Sequence, residues 1–176
     1  FSYHNLGQYE RAIQDYDETI RLDPQHETAY NNRALSYSSL GQYERTIQDF
    51  DESIRLKPQY AEAYHNRGLN YHNLGQDERA IQDYDEAIRL DPEERYFYNA
   101  RGFSYHNLGQ YERAIQDYDE AIRLDPQYAD AYYDRGFSYH NLGQYERAIQ
   151  DYDETIRLDP QFWTARYNRG YAYHNL

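Results

Sequence analysis

The feature that most constrains the fold of this chain is an internal repeat. Each interval between successive members of a glycine series is 34 residues (41 − 7, and likewise to the end): Gly7, Gly41, Gly75, Gly109 and Gly143. A proline series keeps the same interval: Pro24, Pro58, Pro92, Pro126 and Pro160. A fixed period of this length is typical of stacked arrays of one supersecondary unit. The chain is therefore expected to bury apolar surface between neighbouring units rather than in one central core.

Each unit contains two stretches with the apolar spacing of a helical face. In the first unit they are Tyr9–Leu22, followed by Pro24, and Glu27–Leu40, followed by Gly41. Proline pushes the preceding residue out of the helical region, and glycine is the usual left-handed terminator. The short connections make the two helices antiparallel. Besides a partial helix at Phe1–Leu6, the pattern predicts further helices at Tyr43–Leu56, Ala61–Leu74, Asp77–Leu90, Arg95–Leu108, Tyr111–Leu124, Ala129–Leu142, Tyr145–Leu158 and Trp163–Leu176.

The small and aromatic residues of one unit carry a resemblance to a known family. They are Tyr64, Gly68, Tyr71, Gly75, Ala80, Tyr84, Ala87 and Pro92. This pattern resembles the tetratricopeptide repeat over the whole chain, with departures at Tyr64, where tryptophan is often found, and Arg67, where leucine is usual. The resemblance implies an all-α solenoid of antiparallel helix-turn-helix pairs that form a superhelix with a concave groove. It implies a single array over 1–176: a partial repeat at 1–26, full repeats at 27–60, 61–94, 95–128 and 129–162, and the first helix of a further repeat at 163–176.

Composition narrows the classes of partner. The formal net charge is −13, from 31 acidic and 18 basic residues, whereas nucleic acids and anionic membranes require a basic face. Neither is expected as a partner. The chain contains no cysteine, which excludes disulfides and thiolate metal sites. Tyrosine, with 24 residues, is expected to supply much of the packing surface, each buried hydroxyl having a hydrogen-bond partner.

The chain begins at Phe1 without an initiator methionine or a signal-like segment, and no run of apolar residues is long enough to span a bilayer. We therefore expect it to be a piece of a longer protein. Its compartment is not determined by the sequence, with the cytoplasm favoured.

The helices that end in His-Asn-Leu or its variants are expected to line the inner wall of the superhelix. Aromatic rings there would supply contact area, and asparagine and histidine would hydrogen-bond to the backbone of a peptide. The alternative is that these side chains are solvated or cap their own helices. The predicted partner groove consists of Asn31, Leu35, His65, Leu69, His72, Asn73, Asn99, Phe103, His106, Asn107, Tyr133, Phe137, His140, Asn141, Tyr167, Tyr171 and His174.

The histidines do not predict a metal site. His72, His106 and His140 lie on successive repeats, whose equivalent helices are at least about 10 Å apart. Two imidazoles that share a zinc ion need nitrogens within roughly 3.5 Å of each other. A pH response of the groove is the more plausible hypothesis. The acids and histidines recur periodically, whereas a catalytic site is a single asymmetric constellation. We expect neither enzymatic activity nor a cofactor.

One arginine and one aspartate recur in each unit, and we predict ion pairs between adjoining helices. The arginines are Arg33, Arg67, Arg101, Arg135 and Arg169; the aspartates are Asp15, Asp49, Asp83, Asp117 and Asp151. The alternative role of the arginines is to bind phosphate or carboxylate. Along the helix Tyr111–Leu124, the spacing of four residues also predicts the pairs Arg113–Asp117 and Asp119–Arg123.

Some members of the resembled family hold a C-terminal carboxylate with a clamp of lysine, asparagine and arginine. Here the only lysine, Lys57, lies in a loop, and the clamp is not predicted; the matching positions hold Asn31, His65, Asn99 and Tyr133, with Leu35, Leu69 and Phe103 where an asparagine is needed.

Two functional hypotheses remain. The first is a non-catalytic protein–protein interaction scaffold that binds a peptide or partner segment in the groove. The second is a structural module that stacks head to tail, because the apolar side of Trp163–Leu176 has no following helix in this sequence.

Overall fold

A computed structural model describes residues 8–176, and within that part the chain forms ten α-helices and no strand. The predicted all-α class is confirmed. The predicted partial helix Phe1–Leu6 lies outside the described residues. The helices are α1 (Tyr9–Leu22), α2 (Glu27–Ser39), α3 (Tyr43–Leu56), α4 (Ala61–Asn73), α5 (Asp77–Leu90), α6 (Arg95–Asn107), α7 (Tyr111–Leu124), α8 (Ala129–Asn141), α9 (Tyr145–Leu158) and α10 (Trp163–His174).

The helices belong to two compact units. The first unit extends to Pro92 and contains α1 to α5, and the second begins at Glu93 and contains α6 to α10. Within each unit every helix packs against the next one along the chain. The building block is therefore the antiparallel helix pair that the 34-residue period predicts.

The helix ends follow from the glycines and prolines. The helices that precede a proline have the predicted bounds, whereas α2, α4, α6 and α8 end one residue before the predicted leucine. Each of these leucines is a C-cap, and the next residue is a glycine with φ between 70° and 73°. At the first of these ends, the Gly41 and Gln42 N–H groups donate to the Ser38 and Tyr37 carbonyls over 2.9 Å each. This pair of bonds is the Schellman motif, which glycine alone adopts without strain.

The two helices of a pair approach most closely where a glycine faces a tyrosine. A Cβ atom added to Gly68 would lie 2.6 Å from Cε1 of Tyr84, and the same contact joins Gly102 to Tyr118 and Gly136 to Tyr152. All three tyrosine side chains are buried. Gly68, Gly102 and Gly136 therefore lie where the two helices of a pair cross closely. The glycine is needed because the ring of the facing tyrosine occupies the space of a side chain.

One expectation about the tyrosines is wrong. The hydroxyl oxygens of Tyr118 and Tyr152 are buried and have no hydrogen-bond partner among residues 8–176. Burial raises the pKa of both phenols above the usual value. The area that the ring buries outweighs an unsatisfied hydroxyl, because a neutral oxygen costs about 1–3 kcal/mol to bury without a partner.

A recurring arginine joins its own helix to two neighbouring helices, and Arg67 in the first unit is an example. Nε and Nη2 of Arg67 donate to the two carboxylate oxygens of Asp83 over 2.8 and 2.6 Å, and Nη1 donates to Asp51 over 2.6 Å. The Asp83 side chain is 8% exposed, and burial raises its pKa although Arg67 opposes the shift. The predicted ion pairs between adjoining helices are confirmed, and the same arrangement is formed by Arg33 with Asp49 and Asp17, and by Arg135 with Asp151 and Asp119.

The predicted pair between Asp119 and Arg123 is wrong. Arg123 instead forms a bidentate pair with Glu120, three residues before it, at 2.7 Å for Nη2 to Oε1. Asp119 contacts Arg135 on the following helix. Asp119 pairs with Arg135 rather than with Arg123 because the partly buried guanidinium of Arg135 is a stronger partner than the exposed one of Arg123 on the same helix.

Candidate partner-binding surface

In the first unit the predicted groove residues have unequal surroundings. Asn31 is 4% exposed and Leu35 packs against the core formed by α2, α3 and α4, so neither offers much surface to a partner. The His72 ring nitrogen Nδ1 lies 2.7 Å from Oδ1 of Asp77, which ties the end of α4 to the start of α5. Leu69 and Asn73 are exposed. For Asn31 the inner-wall prediction is thus corrected to an interior position.

His65 lies against the helix pair rather than in solvent. Its ring centroid is 5.8 Å from that of Tyr84, and burial lowers the pKa of the imidazole to about 4. The side chain is therefore neutral at physiological pH. Its role in this unit is packing beside the Gly68–Tyr84 contact.

In the second unit α8 and α10 enclose a cleft of ≈ 400 Å³. We call it the α8–α10 cleft, and its lining residues are Phe137, His140, Asn141, Tyr167, Asn168 and Tyr171. Phe137 is 37% exposed, Tyr171 54% and Tyr167 70%. Five of these six residues belong to the predicted partner groove. The exposed aromatic rings are notable because large apolar side chains grouped at one surface often mark an interaction site.

The rings that border the cleft are fixed by neighbouring aromatic side chains. His140 stacks on Tyr171 with 5.2 Å between ring centroids and meets the edge of Tyr145 at 5.2 Å. Phe137 stacks on His106 at 4.9 Å. Such contacts add about 0.5–1.5 kcal/mol each beyond the area buried, so the aromatic wall is preorganised.

The histidines near the ends of α6 and α8, His106 and His140, differ in their hydrogen bonds. Nδ1 of His106 lies 2.8 Å from Oγ of Ser138, whereas Nδ1 of His140 has no partner among the described residues. The position that Ser138 has relative to His106 is occupied by Ala172 relative to His140. Burial lowers the pKa of both imidazoles. Both rings are therefore neutral near pH 7, which suits stacking.

The amide side chains have two roles. Nδ2 of Asn141 donates to the Phe137 carbonyl over 2.8 Å and so caps its own helix, as the alternative interpretation proposes. Nδ2 of Asn99 donates to Oδ2 of Asp134 over 3.1 Å, which joins α6 to α8. Asn107 and His174 are exposed, and the Tyr133 hydroxyl accepts a 3.0 Å hydrogen bond from Asn168.

Sequence reasoning missed Asn168 and Asp134. Asn168 follows Tyr167 directly; its side chain lines the cleft and donates a hydrogen bond to the Tyr133 hydroxyl. Asp134 occupies the position at which other 34-residue repeats have Asn32, Asn66 and Asn168, and this difference was the available signal. Burial raises the pKa of Asp134 to about 7, and the nearby Asp130 adds to the shift.

Residues 8–176 contain no group of three or more histidine, aspartate or glutamate side chains placed to hold a metal ion. None of the helices in the same part of the chain combines the length and the apolar character that crossing a membrane requires.

Comparison with known proteins identifies relatives by sequence pattern and by fold. A family model described as TPR repeat matches residues 2–41, 35–75, 68–109, 105–143 and 138–176. The structure of MamA is 22% identical, with coverage of 91% of this chain and 94% of MamA and a TM-score of 0.85. YrrB, described as a TPR protein with an unusual peptide-binding site, is 23% identical, with coverage of 96% and 87% and a TM-score of 0.82.

A third similar structure contains a peptide. It is the first TPR of Spaghetti (RPAP3) bound to the HSP90 peptide SRMEEVD, 26% identical, with coverage of 66% of this chain and 92% of that one and a TM-score of 0.65. A comparison with curated protein sequences finds no match.

Proposed function

Because the chain belongs to the tetratricopeptide-repeat family, we propose that it is a non-catalytic scaffold that binds a segment of a partner protein. The α8–α10 cleft is the proposed binding surface. The observation that carries the proposal is the pair of partly exposed rings, Phe137 and Tyr171, on opposite helices of one open cleft. A peptide side chain between two aromatic faces loses water on both sides, which is how small interfaces gain most of their affinity.

The chemistry of the lining favours a peptide over a small polar ligand. Ring faces supply apolar area, and Asn141 and Asn168 supply amide groups beside them. A few polar groups among apolar walls is the usual composition of a binding cleft. An extended backbone has alternating N–H and C=O groups that an asparagine side chain can pair with. Phe103 and Asn107 in the second unit, and Leu69 and Asn73 in the first, are exposed at positions that match Phe137 and Asn141 in the repeat.

The comparisons support a peptide as the class of ligand. RPAP3 is seen with an HSP90 peptide, and YrrB is described by its peptide-binding site. Three of the last four residues of the peptide SRMEEVD are acidic. The six residues of the α8–α10 cleft include no lysine or arginine. We therefore propose a ligand other than an acidic C-terminal tail.

A selection from a library of random displayed peptides tests this function. We expect the chain to enrich a set of sequences with an aromatic or large aliphatic anchor, and one synthetic enriched peptide to bind in a titration followed by calorimetry. Phe137→Ala should weaken that peptide about tenfold or more, since truncation of a central anchor costs about 2 kcal/mol.

Tyr173→Ala is the matched control, because Tyr173 is an exposed aromatic residue on α10 that does not line the cleft. It should leave the affinity unchanged, and SRMEEVD should not bind. If no peptide is enriched, or if the enriched peptide binds Phe137→Ala and the wild type equally, the cleft is not the binding surface.

A second candidate function is self-association of the chain. One observation favours it: two large aromatic side chains of α10, Trp163 and Tyr173, are exposed. Exposed large aromatic side chains on one helix are typical of a surface that pairs with another element.

A further inference from the structure

We propose that Asp134 binds the ammonium group of a lysine in the partner segment, beside the apolar anchor of that segment that contacts Phe137. This inference rests on the proposed function and deepens it, because it assigns a second residue type to the bound segment. The residues that carry it belong to α6, α7 and α8 of the second unit: Asn99, Tyr118, Asp130 and Asp134. We call these four residues the amine site.

Asp134 is a partly buried carboxyl group whose position favours an amide. Its Oδ2 accepts a 3.1 Å hydrogen bond from Nδ2 of Asn99. An amide at this position would keep that hydrogen bond without the cost of removing a charge from water. Other repeats have such an amide: Asn32, Asn66 and Asn168. A side chain that lowers stability in this way is typical of a functional site.

The arginines beside the amine site do not neutralise Asp134, which forms no ion pair within the described part of the chain. Arg135, the next residue, binds Asp151 over 2.9 and 2.6 Å. Arg95, at the start of α6, pairs with Asp125 at 3.3 Å. A carboxylate that is partly removed from water needs a cation. A cation from the partner would do for Asp134 what Arg135 does for Asp151.

Oxygen atoms of the amine site lack a hydrogen-bond donor. Oδ1 of Asn99 is buried and has no partner among residues 8–176, although Nδ2 of the same amide binds Asp134. The Tyr118 hydroxyl is also buried without a partner in that part of the chain. Burial raises the pKa of this phenol and the charge of Asp134 adds to the shift, so the two groups are near each other. An ammonium group has three donors and no acceptor, which complements such oxygens.

The hydrogen bond from Asn99 favours lysine over arginine. Arginine binds a carboxylate best through two parallel N–H···O bonds, which need both carboxylate oxygens. Oδ2 of Asp134 already accepts from Asn99, so one oxygen is left for the ligand. The compact ammonium of lysine needs only one oxygen for its bond. Asp130, one turn earlier on α8, is exposed and adds negative charge at the same side of the helix.

The amine site lies next to the aromatic ring that holds the apolar anchor. Asp134 and Phe137 are three residues apart on α8, and side chains with this spacing are neighbours about 5–6 Å apart. Both border α6, since Asp134 accepts from Asn99 and Phe137 stacks on His106. Neighbouring residues of an extended segment are about 3.3 Å apart. The lysine of the bound segment therefore lies one or two residues from its apolar anchor.

The amine site also predicts the sign of a pH dependence. Burial raises the pKa of Asp134 to about 7, although the hydrogen bond from Asn99 opposes the shift, and Asp130 adds to it. Tyr118 on α7 and Tyr128 before α8 also face Asp134, and their raised pKa values keep both phenols neutral. Lysine stays charged at neutral pH and binds the ionised carboxylate. Affinity for a lysine-containing segment should therefore rise roughly tenfold from pH 6 to pH 8.

A set of synthetic peptides tests the proposal. Each is a short peptide with a central phenylalanine among glycine and serine, and lysine, arginine or norleucine, the uncharged analogue of lysine, occupies one other position. Fluorescence polarisation of the labelled peptides measures Kd. At pH 8, lysine one or two residues from the phenylalanine should lower Kd by about tenfold or more relative to norleucine, as expected for a charge-assisted hydrogen bond. Arginine at the same place should lower it by less.

Asp134→Asn is the decisive variant, because it keeps an oxygen that accepts from Asn99. It should bind the norleucine peptide like the wild type and lose both the preference for lysine and its pH dependence. Glu112→Gln is the matched control, since it removes the same charge from an exposed position on α7. This variant should keep the preference and the pH dependence.

The outcomes separate the amine site from the proposed function. A lysine peptide that binds no tighter than the norleucine peptide, or a preference that survives in Asp134→Asn, overturns the amine site, while binding that Phe137→Ala weakens leaves the proposed function standing. A preference that needs Asp134 and is unchanged in Phe137→Ala supports the amine site and overturns the anchor in the cleft. An arginine peptide that binds as tightly as the lysine peptide overturns the assignment of lysine. If no peptide of the set binds, both proposals fall.

Discussion

At the scale of single residues, Asp134 is a carboxyl group in an environment that disfavours its charged form. Burial holds its pKa at about 7, and the hydrogen bond from Asn99 opposes that shift only in part. In an unfolded chain the pKa of aspartate is about 3.9. Between these values the folded state binds more protons than the unfolded state, so the free energy of unfolding falls as the pH rises.

Asp134→Asn should therefore stabilise the protein at pH 8 by roughly 2–4 kcal/mol and have little effect at pH 4. The amide keeps an oxygen that accepts the hydrogen bond from Asn99. Three other 34-residue repeats already have asparagine at this position: Asn32, Asn66 and Asn168. Urea unfolding of both proteins at a series of pH values measures the difference. A difference that is constant with pH would mean that Asp134 is not protonated on folding.

At the scale of helix pairs, the glycine–tyrosine contact allows a comparison of two chemically identical substitutions. A Cβ atom on Gly136 would lie 3.0 Å from Cε1 of Tyr152 and 3.0 Å from Cβ of Asp151, and the latter belongs to the stem of a buried side chain. Overpacking of this kind costs about 1–3 kcal/mol. It outweighs the helix propensity gained by removing a glycine, which is about 1 kcal/mol.

Gly136→Ala should thus lower the free energy of unfolding by about 1 kcal/mol, whereas Gly170→Ala, whose added Cβ atom would meet nothing within 4 Å, should raise it by about 0.5–1 kcal/mol. Urea unfolding at a protein concentration low enough for a monomer measures both changes without a contribution from association. If the two variants change the free energy of unfolding in the same direction, the close approach of α8 and α9 is not the reason that position 136 requires glycine.

The helices were predictable because each boundary residue has a local mechanism. Proline and left-handed glycine act on their own backbone, so α1 and α9 have their predicted bounds. The ion pairs were predictable only by type. Arg67 pairs with both Asp51 and Asp83 because three helices meet there. A sequence period does not give the distances between helices, so it could not predict this double pairing. For the same reason Asn31, which has the spacing of an inner-wall residue, is buried.

At the scale of the whole molecule, some acidic side chains are paired with arginines and others are exposed to solvent. Aspartates such as Asp83 and Asp151 are neutralised within the helix pairs by partly buried arginines. Most of the formal net charge of −13 therefore lies on exposed side chains, and no lysine or arginine lines the α8–α10 cleft to offset it. Fields of this kind raise the association rate of oppositely charged partners and fall off with ionic strength.

We predict that peptides selected on this chain carry lysine or arginine beside their apolar anchor. For one such peptide, the association rate should fall by about tenfold or more between low and physiological salt, since steering can raise rates well above the value for uncharged partners. Stopped-flow fluorescence over a series of sodium chloride concentrations measures the rate. The same peptide with glutamate in place of its basic residues is the control, and it should associate more slowly at low salt than at high salt. Enrichment of acidic peptides, or equal rates for the two versions at low salt, would show that the surface charge does not select the partner.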